Sequence, residues 1–388
     1  MPLAVVSGAL ANKPGNGGAA WTRMSWTLGF CRLGWRVVFL EQIAAAACVD
    51  ASGAAAAFES SMNAAYFRQV TRRFGLDGSA ILISDDGSRI LGATYDDLLD
   101  VADTADLLVN ISGHLRLQPL FGRFRRRVYV DLDPGFTQIW HASGTDGTHL
   151  EGHHWFFTVG ENIGFAECSI PTNGIPWRPT RQPVLLHEWP VAHAAAPPDR
   201  FTTVANWRGP YGPVQHLGET LGLKVHEFRK FICLPRLGPG SFELALNIHS
   251  ADDKDLSLLK QHGWRVVDPK LVAATPDLFR RYVQASAAEC SVAQGVYVQT
   301  RSGWFSDRTV RYLASGKPAL VQDTGFTSRY PCGSGLIAFS TLDEAAAGAE
   351  EILRDYATHS RAARALAEEH FAAEKVLASL LAEAGSAV

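Results

Sequence analysis

The chain has 388 residues, which is too long for a typical single domain and predicts two domains of about 150 to 200 residues each. Its 36 Lys and Arg nearly balance 39 Asp and Glu, and the net charge of −3 gives no basic excess for nucleic acid or an anionic membrane. An uncharged polymer or a small molecule is the expected partner. Six scattered cysteines without a Cys-x-x-Cys pair, and no apolar run long enough for a transmembrane helix, predict a cytoplasmic protein with no integral membrane segment.

The N-terminal segment is predicted to contain a strand, a glycine-containing loop, a helix and a second strand. The strands are expected over 3–8 and 35–41, with the helix over about 19–33. The glycines of the loop do not follow the Gly-x-Gly-x-x-Gly spacing of dinucleotide-binding folds. Glu41 ends the second strand, where an acidic residue can bind ribose, so a nicotinamide oxidoreductase stays open as an alternative.

Two later strands end at polar side chains that are suited to acid-base chemistry. The strand 106–111 leads to His114, and the strand 127–133 carries Asp131 and Asp133 on one face because side chains alternate. Ligands of doubly wound sheets bind at the carboxyl ends of strands, so His114 is a candidate general base or sugar-binding residue. Asp131 is a second candidate for taking a proton from a hydroxyl. The alternatives are a structural histidine and an Asx turn made by Asp133.

Four histidines between positions 141 and 154 raise the question of a metal site. The spacing of His149 and His153 suits one face of a helix, but glycines at 147 and 152 disfavour a helix there. We therefore expect neither a metal nor a cofactor. The next strand, 155–159, ends in a loop where Glu161 and Asn162 are candidates for holding an acceptor.

A proline-rich region divides the chain. Seven prolines lie between positions 171 and 198, and such a run cannot pair regularly in a sheet. It predicts a connection that ends over 193–199, with the boundary near Pro198 and with domains over 1–197 and 198–388.

The second half begins like the first. A strand is predicted over 201–207, followed by a glycine-containing loop and a helix over 214–222. Arg208 comes directly after the strand, where a cation is well placed for a ligand. The alternative is a salt-bridged arginine on the surface.

The most informative stretch begins after position 300 and predicts a loop, a short helix, a strand and a loop. Ser306 is expected to cap the helix and Asp307 to lie in its first turn. Unpaired N–H groups at this helix start, with Arg301 and Arg308 beside them, form an anion site. The alternative is an ordinary capped helix of an α/β unit.

The sequence of this stretch resembles the donor-binding half of GT-B glycosyltransferases. In these enzymes a short helix presents its N-terminus to the diphosphate of a nucleotide sugar. Further segments resemble a little-characterised group of bacterial glycosyltransferase-like proteins, and this resemblance covers most of the chain. The segments are Leu-Ala-Ser-Gly-Lys-Pro at 313–318 and residues 133–138, 160–164, 302–308 and 322–326. The resemblance implies an α/β fold with two Rossmann-like, doubly wound domains that face a cleft, the first on the acceptor side and the second on the donor side. It also permits the C-terminal helix, 360–383, to complete the first domain.

The resemblance implies a metal-independent hexosyltransferase, which moves a sugar from a nucleotide diphosphate sugar to a small molecule or glycan. The implied donor-phosphate residues are Arg208, Arg301, Ser306, Asp307 and Arg308. Residues implied to bind the sugar are Asp323, Thr324 and Gly325, and those of the cleft loops are Gly17, Gly18, Glu161 and Asn162. His114 or Asp131 would take the proton of the acceptor if the reaction inverts configuration.

One position departs from the GT-B pattern. Many members carry a ribose-binding Glu five residues before the glycine that ends the short helix, and this chain has Arg311 there. A Glu-x7-Glu pair is also missing, which disfavours a retaining mechanism of that type. Besides the oxidoreductase, a sugar-nucleotide epimerase of the same fold and a catalytically silent protein that binds sugar nucleotide or glycan stay open as alternatives.

Overall fold

The computed structural model describes residues 1–145, 147–192, 199–209 and 211–385. These residues form an eight-stranded sheet in the first half of the chain, a six-stranded sheet in the second half and a separate two-stranded hairpin. The predicted connection over 193–199 lies outside the described residues except for Asp199, and the predicted boundary near Pro198 lies outside them entirely. Within the described part of the chain, no helix combines the length and apolar character needed to cross a bilayer.

The first sheet has the strand order β4-β3-β2-β1-β5-β6-β7-β8, and its pairs are parallel except for β3 with β4. Its strands are β1 (Leu3–Ser7), β2 (Arg36–Ile43), β3 (Ala80–Ser84), β4 (Ile90–Leu91), β5 (Leu107–Ile111), β6 (Arg127–Asp131), β7 (Trp155–Thr158) and β8 (Trp177–Pro179). The helices of this half are α1 (Gly17–Arg32), α2 (Met62–Arg73), α3 (Tyr95–Thr104), α4 (Leu120–Arg123) and α5 (Phe136–Ala142).

The second sheet has the strand order β13-β12-β9-β14-β15-β16, and all its pairs are parallel. Its strands are β9 (Arg200–Asn206), β12 (Ser241–Asn247), β13 (Arg265–Val267), β14 (Ala288–Ser291), β15 (Ala319–Gln322) and β16 (Leu336–Phe339), and the hairpin is β10 (Val214–His216) with β11 (Glu219–Leu221). The helices are α6 (Lys224–Lys230), α7 (Leu234–Leu237), α8 (Asp253–Gln261), α9 (Pro269–Val272), α10 (Pro276–Ala285), α11 (Gly295–Gln299), α12 (Asp307–Ala314), α13 (Leu342–Arg354), α14 (Tyr356–Leu366) and α15 (Ala373–Glu383).

Both sheets contain the strand order 3-2-1-4-5-6 of a doubly wound fold. The chain reverses direction across the sheet between β1 and β5 in the first half and between β9 and β14 in the second. Ligands of such sheets bind beyond the carboxyl ends of the strands at this switch point. The prediction of two Rossmann-like halves is confirmed.

Helix α1 is buried on most of its surface, because it lies between the first sheet and two helices of the second half, α10 and α15. Asn16 caps it by accepting a hydrogen bond from the N–H of Ala19 at 2.9 Å. The indole of Trp21 donates to the carbonyl of Pro276 at 2.8 Å, which joins α1 to the start of α10. The helix that follows the first strand is therefore part of the contact between the two halves.

Helix α15 packs on α1 although it comes last in the described chain. A Cβ added to Gly29 of α1 would lie 2.4 Å from a methyl carbon of Leu377, so glycine permits this close approach. Arg32 and Glu374 add an ion pair at 3.0 Å between the same two helices. Helix α15 therefore packs against the first half of the chain.

Three elements differ from the prediction. Residues Trp177–Pro179 of the proline-rich region form β8 at the edge of the first sheet and pair in parallel with β7, although this region was expected not to pair regularly. Residues 214–222 do not form a helix but the hairpin β10–β11, whose turn residues Leu217 and Gly218 both have positive φ. A two-residue turn with positive φ at both positions matches the twist of two paired strands. The segment therefore folds back on itself as a hairpin and does not continue as a helix. The predicted final helix over 360–381 is also interrupted by a π-turn at Ala367–Phe371, and α15 starts anew at Ala373.

Candidate functional site

A cavity of about 490 Å³ lies between the two halves. On one side it is bounded by the carboxyl ends of β9 and β12, by the start of α9 and by the start of α12. On the other side it is bounded by the loop after β1, by the first turns of α1 and by the segment after β6. The cavity thus lies at the switch point of the second sheet, where a doubly wound fold binds its ligand.

The start of α12 is shared between the two halves. Ser306 caps the helix as predicted, since its hydroxyl accepts from the N–H of Arg308 at 3.2 Å. Asp307 accepts a hydrogen bond from Thr22 of α1 at 2.6 Å and from Arg311 at 2.8 Å. Burial alone would raise the pKa of the Asp307 carboxyl, but Arg311 and Thr22 outweigh it and hold this pKa below its ordinary value. Asp307 is therefore a charged contact between the halves as well as a cleft residue.

Arg308 fills the gap between the two central strands of the second sheet. The pairing of β9 with β14 ends at Thr202 and Glu289, after which the strands separate. The guanidinium donates to Glu289 at 2.6 Å, to the carbonyl of Val204 at 2.9 Å and to the hydroxyl of Ser291 at 2.6 Å. Its charge is therefore largely neutralised within the second half, although the side chain still lines the cavity.

Arg311 occupies the helix position where many GT-B proteins have a ribose-binding Glu. It is 1% exposed and donates to the carbonyl of Asp307 at 2.6 Å and to the hydroxyl of Thr22 at 3.2 Å. Its side chain does not line the cavity. Instead of facing a ligand, this arginine joins α12 to α1.

Four other cations line the cavity without an ion-paired carboxylate among the residues described. They are Lys13, Arg23, Lys224 and Lys270. Lys13 and Lys270 are exposed to the cleft and Lys224 is half-buried. Arg23 is buried, and its only hydrogen bond within the described ranges is a long one, 3.5 Å, to the carbonyl of Ala19. Positive charge is thus concentrated in the cavity and is not neutralised by direct contacts.

Burial and mutual repulsion disfavour the protonated forms of Lys13, Arg23 and Lys224. Burial lowers the pKa of the Arg23 guanidinium. The charge of Arg23, followed by burial, lowers the pKa of the Lys13 ammonium. Burial, followed by the charge of Arg308, lowers the pKa of Lys224 to about 7. An anion in the cavity would reverse each of these effects, so the site is electrostatically suited to one.

Asp133 is the acidic residue of the first half that lines the cavity. It lies just after β6 and accepts a 3.4 Å hydrogen bond from the hydroxyl of Tyr211, which reaches over from the second half. Burial raises the pKa of the Asp133 carboxyl above its ordinary value, against the attraction of Lys13 and Arg23. A carboxylate of raised pKa beside a cleft can accept a proton from a hydroxyl.

Asp131, which the sequence nominated as a proton acceptor, lies below this surface. It is completely buried and accepts hydrogen bonds from Thr137, Gln138 and Thr158 at 2.7 to 2.9 Å. Its carboxylate joins β6 to β7 and α5, so no acceptor reaches it in this arrangement. Asp131 also accepts a hydrogen bond from the N–H of Asp133 at 3.1 Å, but Asp133 lies beyond the end of β6, and of the two only Asp133 lines the cleft.

His114 is placed near the cleft but does not line it. It follows β5, as expected, and is half-buried. Burial, then the charges of Arg23 and Lys13, lower the pKa of its imidazole to about 3. The side chain is uncharged at neutral pH and is a weak base.

The glycines at the start of α1 permit contact between the halves. The N–H of Gly17 donates to the carbonyl of Ala273 at 2.8 Å, and a Cβ at Gly17 would lie 2.2 Å from the carbonyl oxygen of Thr275. Gly18 lines the cavity, but Gly17 has no free N–H for a ligand. Glu41, the candidate ribose acid of an oxidoreductase, is fully buried and accepts from the N–H groups of Ala11 and Asn12. It holds the loop that carries Lys13 and is not available to a ribose.

Several predicted acceptor and sugar residues instead form a contact between the halves away from the cavity. Asn162 is fully buried, and its amide donates at 3.0 Å to the carbonyls of Arg301 and Gly325. The Arg301 side chain is exposed and does not line the cavity. Asp323 forms a turn by accepting from the N–H of Gly325 at 2.8 Å, and Thr324 donates to the carbonyl of Trp304 at 2.6 Å.

Two further predicted residues have partners elsewhere. Glu161 is buried, accepts from Arg181 at 3.2 Å and from the hydroxyl of Tyr330, and borders a second cavity of about 270 Å³. Arg208 is exposed and forms a bidentate ion pair with Asp252, as in the alternative of a salt-bridged surface arginine. Of the sequence-predicted residues, Gly18, Ser306, Asp307 and Arg308 are brought together at the main cavity.

The sequence analysis did not identify Lys13, Arg23, Lys224 or Lys270. One signal for Lys224 was present, because a lysine at the first position of a helix opposes the helix dipole and is therefore unusual. The incorrect helix over 214–222 placed Lys224 beyond a helix end and concealed this signal. The absence of partners for these cations depends on how the two halves face each other, which no local pattern describes.

Comparison with known proteins gives matches at the level of structure. No protein-family model matches the sequence, and no curated protein does. An alpha-glucosyltransferase in complex with UDP has a TM-score of 0.60 at 10% identity and covers 100% of both chains. HepE from Anabaena in complex with UDP-glucose has a TM-score of 0.57 at 12% identity, over 99% of this chain and 100% of that one.

Sucrose-phosphate synthase from Thermosynechococcus elongatus gives a TM-score of 0.55 at 12% identity, over 99% of both chains. At such identities the likeness concerns the fold. Two doubly wound halves with the same strand order, facing each other across a cleft, are matched over their full length by these glycosyltransferases. The chain therefore has the GT-B fold.

Proposed function

We propose that the protein is a hexosyltransferase that moves a sugar from a nucleotide diphosphate sugar to a hydroxyl of a small molecule or glycan. The observation that carries this proposal is the group of cations in the cleft without an ion-paired carboxylate among the residues described, of which Lys13, Arg23 and Lys224 also have lowered pKa values. They converge on the switch point of the second sheet, beside the start of α12. A diphosphate is the anion that this arrangement fits in a chain with the fold of UDP-binding glycosyltransferases.

The proposed reaction breaks the bond between the anomeric carbon and the diphosphate oxygen and forms a bond from that carbon to the acceptor oxygen. Negative charge grows on the departing nucleoside diphosphate, and Lys13, Arg23 and Lys224 stabilise it. The acceptor hydroxyl loses a proton. In an inverting reaction Asp133 is the carboxylate placed to take that proton, and the Tyr211 hydroxyl contacts the same carboxylate.

The first test is a thermal-shift screen with UDP-, GDP-, TDP- and CMP-sugars, with NAD(P) as the control ligand. A ligand that binds only the folded state raises the melting temperature, and we expect this for one nucleotide sugar. Lys224→Gln should reduce the shift, whereas Lys260→Gln, at an exposed position of α8, should keep it. Stabilisation by NAD(P) alone, or by none of these ligands, would contradict the proposal.

Turnover assays distinguish a transferase from an epimerase and from a catalytically silent binding protein. Release of nucleoside diphosphate that depends on an added acceptor identifies a transferase. Conversion of the donor without an acceptor identifies an epimerase, and binding without product identifies a silent binder. We further propose that the cations of the cleft replace a metal, so EDTA should leave turnover unchanged.

A further inference from the structure

Three buried polar atoms that have no hydrogen-bond partner among the described residues belong to side chains in the wall of the cleft. They are Nε of Arg23, Oε1 of Gln182 and Oε1 of Gln294. The three side chains are 7%, 5% and 7% exposed, respectively. Because buried polar atoms normally have partners, these three side chains in the wall of one cavity have hydrogen-bonding capacity that the described part of the protein does not use.

Gln294 belongs to the second half and lies between β14 and α11. It occupies the N-cap position of α11, but its side chain makes no capping hydrogen bond. A Cβ added to Gly209, in the loop after β9, would lie 3.0 Å from its Oε1. The amide is thus held where the loops after β9 and β14 meet, at the switch point of the sheet.

Gln182 belongs to the first half and lies in a segment that is fixed on both sides. Upstream, the N–H of Thr180 donates to the carbonyl of Thr158 at 2.8 Å. Downstream, the N–H of Val184 donates to the carbonyl of Phe371 at 2.8 Å, and its own carbonyl accepts from Ala373 at 3.0 Å. The backbone on both sides of Gln182 is therefore fixed, and the residue lines the cleft.

The N–H of Arg23 is a donor and the two amide oxygens are acceptors, so they suit two chemically different parts of a ligand. Phosphate oxygens only accept hydrogen bonds at neutral pH, so a diphosphate satisfies the N–H of Arg23 but not an amide oxygen. An amide oxygen needs an O–H or N–H donor, and sugar hydroxyls supply one.

The surroundings of Gln294 indicate the sugar end of the ligand. Trp304 and Tyr297 line the same cavity and stack with their ring centroids 4.4 Å apart. Tyr297 also packs on Phe136, close in sequence to Asp133, the proposed proton acceptor. The reacting carbon of a donor has to lie near that carboxylate.

We propose that Gln182 and Gln294, one from each half, hold hydroxyl groups of the transferred sugar and so determine which sugar the enzyme accepts. This inference rests on the proposed function, because it assigns two residues of the same cleft to the sugar of the donor. The cations bind the diphosphate, and the two glutamines, which are uncharged, bind the sugar.

The test compares each nucleotide sugar with its nucleotide by calorimetric titration, using UDP-glucose and UDP, TDP-glucose and TDP, and GDP-mannose and GDP. The variants are Gln182→Leu and Gln294→Met. The matched control is Gln299→Met, at the exposed end of α11. For the pair that the wild type binds, each cleft variant should weaken the nucleotide sugar about fivefold to tenfold, because one hydrogen bond is lost. Affinity for the nucleotide alone should stay within about twofold, as should all affinities of the control.

Melting temperatures without ligand give a second readout. Both cleft variants should melt at or above the wild-type temperature, because each removes a buried oxygen that has no partner. A lower melting temperature, an unchanged affinity for the nucleotide sugar, or an equal loss for nucleotide and nucleotide sugar would overturn the assignment. If the wild type binds no member of any pair, the proposed function fails and this inference fails with it. If the wild type binds and the variants match it, only the role of the glutamines is refuted.

Discussion

Arg308 and Glu289 form an ion pair at 2.6 Å in the gap between the central strands of the second sheet, with Glu289 completely buried and Arg308 12% exposed at its side chain. Charges buried in this way are stable only together, because a lone buried carboxylate has no counter-charge. Arg308 was predicted to bind the donor phosphate. In the structure the Arg308 charge is paired with Glu289 between two strands of the sheet. The cleft cations without an ion-paired carboxylate among the residues described are other residues.

Arg308→Ala should therefore destabilise the fold by about 3–5 kcal/mol, because it leaves Glu289 buried without its partner. Urea unfolding followed by circular dichroism measures this change. Arg208→Ala is the matched control, since it breaks the ion pair with Asp252 on an exposed arginine and should change stability little. Equal unfolding midpoints for Arg308→Ala and the wild type would show that the buried pair does not stabilise the sheet.

Donor binding should weaken as pH rises through about 7, the pKa to which burial and then Arg308 lower Lys224. Below this pH the ammonium is charged and attracts a diphosphate, and above it the charge is lost. Titration with UDP-glucose from pH 6 to pH 8.5 should show the fall in affinity, because its diphosphate does not titrate in this range. Lys224→Met should bind more weakly at pH 6 and lose most of the pH dependence, while Lys260→Met keeps both properties.

The same shift affects the stability of the free protein in the opposite direction. The unfolded chain keeps the lysine proton up to about pH 10, whereas the folded chain releases it near pH 7. Between these values the unfolded state binds more protons, so the contribution of Lys224 to stability increases with pH.

For donor binding, a steeper fall in affinity with pH in Lys224→Met than in the wild type would contradict the assignment of the pH dependence to Lys224.

Asp133→Asn should reduce kcat by about 10²-fold to 10⁴-fold if the reaction inverts configuration, because the acceptor hydroxyl loses its proton acceptor. Affinity for the nucleotide should be little changed, since the carboxylate does not carry the diphosphate. The neighbouring change Asp131→Asn should act differently and destabilise the fold by about 2 kcal/mol, because it disturbs three buried hydrogen bonds. An unchanged kcat in Asp133→Asn would remove this residue from the chemistry.

Gly17→Ala should separate the start of α1 from the second half. The new methyl group would lie 2.2 Å from the backbone oxygen of Thr275, which a side-chain rotation cannot relieve. We expect a loss of about 1–3 kcal/mol in unfolding free energy and weaker nucleotide binding, because the cleft is formed by this contact. Gly78→Ala is the control, since a Cβ at Gly78 meets no atom within 4 Å. Wild-type stability and affinity in Gly17→Ala would show that the contact is dispensable.

Local signals were enough to predict much of the fold. The apolar strands and the cap at Ser306 depend on residues close together in sequence, and the structure has them where they were expected. The hairpin at 214–221 was missed because its turn needs positive φ at Leu217, a residue with little tendency to adopt it. A helical pattern of apolar residues in that segment concealed the turn.

The site was less accessible from sequence because its properties belong to pairs of distant residues. Arg208 and Arg308 were nominated for their positions after a strand and at a helix start, yet each has an acidic partner that only the fold brings near. Lys13 gave no comparable pattern and the signal at Lys224 was concealed by the incorrect helix, while the importance of both lies in having no such partner among the residues described. Asp131 and Asp133 differ in burial and in hydrogen-bond partners, and both differences depend on how α5 and β7 cover the end of β6.

The packing of α15 on α1 has a practical consequence for work with fragments. Leu377, Leu380 and Leu381 belong to the same apolar core as Trp26 and Phe30 of α1. A truncated protein that stops before β9 would lack these leucines and would expose that surface of α1 to water, which favours aggregation. An isolated first half therefore has to be made as a fusion or circular permutant that keeps Ala373–Glu383, and the chain is not divisible by a single cut.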